Sequence, residues 1–285
     1  MDIRFLHSLL IVIDTGSIAA AARAQHLTAA AVSQRIKALE HSLNCQLLCR
    51  SGHSAKPTED CLKLLPRLQR IADEVAQLPA DLDNSGLTGE LKVGVISTVL
   101  SGFLPKRLQW LAAQFPTLSL QIIPGASSHL YQQLLERKID LAILVQPPFP
   151  LAKSLQQQLL CSEPLSLISA KAYSNIAQAI SSQPFIQYER TAWGGTIAQQ
   201  YLTDRQLNVS KLCEIDALES IVLMVKNGLG VSLVPQWQGI SDLAEDLHVQ
   251  LIDNAKYQRK ICILTQQASA KEQLMAAFMQ AMHEL

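Results

Sequence analysis

The chain has 285 residues, 48% of them hydrophobic and 17% charged, which is ample material for packed cores and unlike the composition of a disordered chain. Its 24 basic and 24 acidic residues cancel, so whole-chain charge favours neither a nucleic acid nor a membrane surface as partner. The apolar run near the N-terminus, about nine residues broken by His7 and Ser8, is too short to span a bilayer and makes a poor signal peptide. The six cysteines form no CxxC pair and read as reduced, mostly buried thiols. The expectation is a cytoplasmic protein of two domains, with no metal and no cofactor.

Residues 1–58 read as a small helical module. Leu6, Leu9, Leu10 and Ile13 fall on one side of a first helix, which "TGS" at 15–17 stops, and Ser17 is placed to cap the next. That second helix, "SIAAAARAQ", keeps Ala19 to Ala22 thin enough for another to cross close above it. "QHLT" is a tight turn in which Leu27 plugs the core and Thr28 caps. The third helix, "TAAAVSQRIKALE", has an apolar stripe of Val32, Ile36, Leu39 and Leu43 and an opposite face of Ala30, Ser33, Gln34 and Lys37. Two short helices around a tight turn, the second with a small polar outer face, make a helix-turn-helix.

A helix entering the major groove must bring its backbone near the base edges. Ala29, Ala30 and Ser33 allow that approach, Gln34 can bond adenine bidentately, Lys37 reaches phosphate or guanine, and Thr28 at the helix start counts with them as a DNA-binding residue. "LNCQLLCRSGHSAKPTE" then reads as a strand, a turn at Ser51-Gly52 and a returning strand ending at Pro57, a wing that offers Arg50 and Lys56 to backbone phosphates. Residues 1–57 hold Arg4, Arg23, Arg35, Lys37, Arg50 and Lys56 against Asp2, Asp14 and Glu40, a mildly basic head on a mildly acidic body.

Residues 1–60 resemble the winged helix-turn-helix of the LysR-type bacterial transcriptional regulators. "GSIAAAA", "LTAAAVSQRIKALE", "LLCR" and "PTE" carry the resemblance, with Ser33, Ile36, Leu39, Glu40, Leu47, Arg50 and Thr58 matching. "AVSQRIKALE" followed by "LLCR" is especially similar to the subgroup that senses basic amino acids and controls their export. Ala29 and Ala30 stand where Gln and Pro are common, which alters the bases read there. Asn44 stands where Gly is usual, and Asn tolerates the left-handed backbone such a turn requires. The resemblance implies a sequence-specific DNA-binding regulator, not an enzyme. Its partners would be an inverted-repeat operator, a second copy or three further copies of itself, and a small effector such as an amino acid or organic acid.

The connector, residues 59–88, opens with Thr58 as a cap and Glu59-Asp60 in a first helical turn, where the helix dipole favours acid. Leu64, Leu68, Ile71, Val75 and Leu78 step 4, 3, 4, 3, the spacing of a helix that pairs with another, which in the resembled family is the dimerisation helix. Packing against the protein's own body has the same spacing. Pro66 should kink or break this helix at a cost of up to ~3 kcal/mol. "LPADLDNSGLTGE" supplies a polar hinge.

From residue 89 onward strands and helices alternate: "GELKVGVIS", "SGFLPKRLQWLAAQFP", "LSLQIIPG", "SSHLYQQLLERKI", "DLAILVQPP", then "PLSLISAKA", "PFIQYE", "GGTIAQQYLTDRQL", "KLCEI", "DALESIVLMVKNG", "VSLVP", "ICILTQQ" and a helix over 270–284. The alternation predicts an α/β fold with a parallel sheet. It resembles the bilobed, periplasmic-binding-protein-like effector domain of the same family, with "KNGLGVSLVP" like the family's signature near the second hinge. The expected division is lobe I over 89–160 and 236–285 and lobe II over 161–235. Ligands of such sheets sit beyond the carboxyl ends of strands. Those ends are Ser97 and Thr98, Ser127 and Ser128, and Gln146 in the first lobe, and Thr196 and Asp216 in the second. Ser97 and Thr98 suit an anionic group, and Asp216 either takes an amino group or simply caps its helix.

Rival readings stay open. No GxSxG, HExxH, Walker loop or GxGxxG speaks for an enzyme. Cys45, Cys49, His53 and Cys61 lie close in sequence without zinc-finger spacing, and Cys161 and Cys213 are the candidates for a redox sensor. A small-molecule binding protein that never touches DNA would not need the first 60 residues.

Overall fold

Asp2, Ser17 and Thr28 each accept a hydrogen bond from a backbone N–H two or three residues on, and so start helices α1 (Ile3–Thr15), α2 (Ile18–Ala24) and α3 (Ala29–Leu43). Gly16 (φ +68°) and Asn44 (φ +51°), both left-handed, end α1 and α3. The computed structural model describes residues 2–51, 54–81, 89–269 and 271–283. They fall into two units, Met1–Gly86 and Leu87–Leu285.

In the first unit, Leu6, Leu9 and Val12 of α1, Ala21 and Ala22 of α2 and Val32, Ile36 and Leu39 of α3 make one core with Leu47. The wing is strand β1 (Leu48–Ser51) antiparallel to β2 (Ser54–Pro57), with Cys49 opposite Lys56 and Arg50 opposite Ala55. The expected turn residue Gly52 and His53 lie outside the described residues. Ala55 N–H donates to Gly16 O at 2.8 Å, which ties the wing to the end of α1.

Helix α4 (Glu59–Asp81) corrects two expectations. It runs through Pro66 without interruption. Pro66 and Leu62, whose carbonyl loses its partner, both lie on the exposed side, where solvent replaces the missing bond. The heptad stripe is also divided. Leu68 is 3% exposed and, with Cys61 and Ala72, belongs to the head's own core, with Leu64 and Ile71 packed against it. Val75 and Leu78 lie beyond that core, 39% and 58% exposed. Leu68 is thus closed to a partner, Leu64 and Ile71 are half-buried, and Val75 and Leu78 are open.

The second unit begins with β3 (Gly89–Val95), α5 (Ser97–Ser101), α6 (Leu104–Gln114), β4 (Leu118–Pro124), α7 (Ser127–Leu135) and β5 (Leu141–Val145). Strand β6 (Leu155–Ser169) is followed by α8 (Ile176–Ser182), β7 (Phe185–Tyr188), α9 (Gly195–Asp204), β8 (Lys211–Ile215) and α10 (Leu218–Lys226). The chain closes with β9 (Ser232–Pro235), α11 (Ile240–Leu243), β10 (His248–Leu251), β11 (Gln258–Gln266) and α12 (Glu272–His283). The sheet is mixed, not parallel throughout. Strand β3 pairs parallel with β4 and β5, while β11 pairs antiparallel with β5 and β6, and β6 antiparallel with β9 and β10. Strands β7 and β8 form a separate parallel pair.

Two sets of cores result. One gathers Leu91, Val93, Val95, Leu130 and Leu141–Val145 with Ile261–Leu264 and Phe278. The other holds Leu165–Ile168, Ile186, Ile221, Val222 and Leu233. Trp237, Ile240, Ala244, Ile252 and Tyr257 also pack with this second set. The return to the first lobe therefore comes near residue 258, not at 236 as the sequence led us to expect: the apolar side chains of 237–257 are spent on the second core.

Candidate functional site

The outer face of α3 presents Thr28, Ala29, Ala30, Gln34 and Lys37 as exposed residues, with Ser33 half-buried beside them. Arg35 points elsewhere, its Nη1 donating to Ser8 Oγ on α1 at 3.2 Å. Glu40 Oε1 accepts from the backbone N–H groups of Leu47 (2.9 Å) and Leu48 (3.2 Å), which fixes where the wing leaves the helix. Lys56 is exposed on β2, and the side chain of Arg50 lies outside the described residues. This is a narrow, mildly basic face with little bulk on it, the kind that approaches base edges.

The second unit contains a cavity of about 450 Å³ at the carboxyl ends of β3, β4, β5 and β7. Ser97, Thr98, Ser127, Ser128 and Asp216 line it, as the strand-end rule predicts. Gln146 and Thr196 do not: the Gln146 backbone is bonded to Lys260 O, and Thr196 Oγ1 donates to Trp193 O at 2.7 Å inside its own turn. Tyr188, Glu189, Trp193 and Arg259 are also in the wall. Glu189 follows directly on β7, so the same rule reaches it. Arg259 lies at the start of β11, and its partners are spread over the chain, so nothing local marks it.

Arg259 is 3% exposed. Its Nε donates to Glu163 Oε2 at 2.6 Å and its Nη2 to Thr98 Oγ1 at 3.0 Å, and it also bonds Tyr188. Burial pushes the Glu163 carboxyl up and the guanidinium pulls it back. A Cβ on Gly194 would stand 2.6 Å from Tyr188 Oη and 3.0 Å from Arg259 Cδ, so only glycine lets that loop lie against the pair. The hydroxyl of Thr98 is thus engaged in holding Arg259. That of Ser97 donates to Glu219 Oε2 at 3.3 Å, and Ser101 Oγ to Glu219 Oε1 at 2.9 Å.

Asp216 does not cap α10, whose N-cap is Ala217. Partial burial raises its pKa, the carboxylates of Glu189 and Glu219 add to this, and Arg259 opposes them. Among the described residues none of Glu189, Asp216 and Glu219 is in an ion pair. Trp193 brings an aromatic wall, edge-on to Tyr131 and Phe149 with centroids 5.8 and 5.4 Å away.

Burial pushes the Cys161 and Cys61 thiols up to about 11, the opposite of a reactive thiolate. Among the described residues no group of three or more His, Cys, Asp or Glu side chains is arranged to hold a metal ion. No single helix among them is long and apolar enough to cross a membrane.

Residues 3–62 match the family model of the bacterial regulatory helix-turn-helix protein, lysR family, and residues 84–285 match that of the LysR substrate binding domain. The chain is similar to the HTH-type transcriptional regulator CzcR of Bacillus cereus, 28% identical over 238 residues, 83% of this chain and 81% of that one. Among solved structures it is similar in fold to full-length OxyR from Pseudomonas aeruginosa, with TM-score 0.74 at 19% identity over 100% of this chain and 95% of the other. A second is full-length CbnR complexed with target DNA, with TM-score 0.64 at 17% identity over 99% of each chain.

Proposed function

Since the chain belongs to the LysR family and is a transcriptional regulator with a DNA-binding head and an effector-binding body, we propose that its effector carries a cationic amino or guanidinium group. The cleft of the second unit is the effector site in this reading. The observation that carries it is the pair Glu189 and Asp216, two carboxylates in one cavity wall with no ion-pair partner among the described residues. The only cation among the described lining residues, Arg259, is already bonded to Glu163. A positive group entering there relieves the repulsion between the carboxylates and gains a charge-assisted hydrogen bond. Trp193 offers it an aromatic face. A basic amino acid fits best, and the similarity of the head to regulators of basic amino acid export points the same way.

In the head, Thr28, Ala29, Ala30, Ser33, Gln34 and Lys37 face the major groove, while Arg50 and Lys56 hold phosphate. The exposed distal part of α4, Val75 and Leu78, pairs with a second copy, which sets two heads at half-site spacing. Effector and operator then influence one another only through the different affinity each has for two arrangements of the chain.

The test is calorimetric titration of the full chain with L-lysine and L-arginine against L-norleucine, which lacks the terminal amine, and L-glutamate. Lysine or arginine should bind at least about tenfold more tightly than norleucine, the worth of one hydrogen bond to a charged group. Asp216→Asn and Glu189→Gln should each erase that preference. Equal binding of norleucine, or preference for glutamate, would overturn the reading.

A further inference from the structure

A short polar chain runs between the three helices of the head. Ser8 of α1 is fully buried, although its neighbours Leu6, Leu9 and Val12 belong to the apolar core. Its hydroxyl lies 3.0 Å from Arg4 O in its own helix and 2.7 Å from Gln25 Oε1, and the shorter contact receives its hydrogen. The same oxygen accepts from Arg35 Nη1 at 3.2 Å. Gln25 continues the chain, its Nε2 donating to Ala21 O at 3.0 Å. One run of hydrogen bonds thus joins α1, the turn after α2 and the flank of α3.

Apolar packing gives α3 little to stop it from rolling about its own axis. Such contact is non-directional, and the buried residues of α2 are only Ala21 and Ala22. Arg35 follows Gln34 by about 100° around α3. It therefore stands between the outer face and the inner stripe of Val32, Ile36 and Leu39. A directional bond from that flank to a buried point on α1 opposes rotation. Glu40, bonded to the N–H groups of Leu47 and Leu48, opposes it at the other end of the helix. Gln25 acts on the turn as well, since the residue after it, His26, holds a left-handed backbone (φ +53°) without being glycine. Apolar side chains in these places would avoid the desolvation of a buried hydroxyl, so the chain contributes geometry more than stability.

We infer that Arg35 is a positioning residue for operator recognition: through Ser8 and Gln25 it sets the rotation of α3, and so the aim of Gln34 and Lys37, without touching DNA itself. This rests on the reading in which the outer face of α3 meets the bases. A roll of α3 carries hydrogen-bonding side chains off the base edges, where geometry is strict, and leaves the charge of the head near the phosphates. Its cost therefore falls on sequence-specific binding and spares the electrostatic binding that any duplex receives.

The probes are two duplexes, one selected by the unaltered full chain from a random pool and one of unrelated sequence. Both are titrated by anisotropy at several salt concentrations, below the melting temperature of every variant. Ser8→Ala and Arg35→Gln should each lower the ratio of the two affinities by about tenfold, the worth of one misplaced base contact. The unrelated duplex should bind as before, with the same salt slope. The double variant should lose no more than either single one, because both break the same chain. If Ser8→Ala does not fold, Gln25→Met, which keeps the length of the side chain and loses the amide, replaces it with the same expectation. The inference is overturned if the variants lower only the melting point and keep the ratio, or if the losses add in the double variant. It is also overturned if Arg35→Gln reduces the salt slope by about 0.9, which would make Arg35 a phosphate contact. Gln34→Ala on the same duplexes separates the two claims. If it keeps the ratio, the reading of α3 falls and the inference with it; if it lowers the ratio while Ser8→Ala and Arg35→Gln do not, the inference alone falls.

Discussion

Arg259 and Glu163, ninety-six positions apart in the chain, form a buried ion pair at 2.6 Å in which both side chains are at most 6% exposed. Each makes the other's burial tolerable. Glu163→Leu should leave a guanidinium without counter-charge and cost ~3–5 kcal/mol, whereas replacing both partners by apolar residues should cost much less. Urea unfolding followed by tryptophan fluorescence checks this cleanly, since Trp110, Trp193 and Trp237 all belong to the second unit. A single variant as stable as the parent would mean that the pair carries no such dependence.

On the head, Gln34→Ala should change which bases are preferred at one operator position by ~1–3 kcal/mol. Lys56→Ala should instead weaken all duplexes alike and reduce the slope of log affinity against log salt by about 0.9. Selection from random duplexes, followed by anisotropy titrations at several salt concentrations, measures both. An unaltered preference in Gln34→Ala would move the reading helix elsewhere.

The divided stripe of α4 predicts two different failures. Val75→Lys with Leu78→Lys should give folded monomers with poor operator binding, because those side chains lie outside the head's core. Leu68→Lys should instead destabilise the head by several kcal/mol, since a charge would replace a core leucine with no partner within reach. Sedimentation and thermal melting of each variant distinguish the two. An unchanged dimer in the double variant would assign assembly to another surface.

Asp204 accepts from Lys256 Nζ, Tyr257 Oη and Gln200 Nε2, and these bonds hold its pKa at about 2. Its value in the unfolded chain is about 3.9. A lowered native pKa stabilises the fold above the unfolded value and is lost as pH falls through the native one. The melting point of Asp204→Asn should therefore lie below the parent's by a constant margin near neutrality, and that margin should close between about pH 4 and pH 2. A margin that stays constant through that window would show that charge on Asp204 is not what ties α9 to residues 255–257.

What was legible in the sequence follows from range. The caps at Ser17 and Thr28, the left-handed Asn44 and the inward stripe of α3 are local, and the residues that make them are neighbours. Strand ends can be read the same way, which is why five of the seven expected cleft residues line the cavity. Arg259 escaped because its meaning depends on Glu163 and Thr98, which only the fold brings near. The antiparallel half of the sheet escaped for a similar reason. Alternating strands and helices imply parallel crossovers, but β6 and β11 return across the sheet without a helix that would announce it. The stripe of α4 was visible as a stripe, yet spacing carries no label for which surface covers it.

Strand β6 has one more consequence. It runs 15 residues without a break, laddered to β11 over its first part and to β9 and β10 over its last. Near its middle the register slips at Ile261/Cys262, which leaves Leu160 as an extra residue on β6 and concentrates twist there. The two cores of the unit are thus joined by a continuous hydrogen-bonded ribbon instead of a slack loop. Such a joint should yield by torsion of the paired ladder and resist free swinging. Effector binding in the cleft should then appear as a small elastic rotation. Amide exchange along β6 should stay slow in every liganded state while the angle between the cores changes.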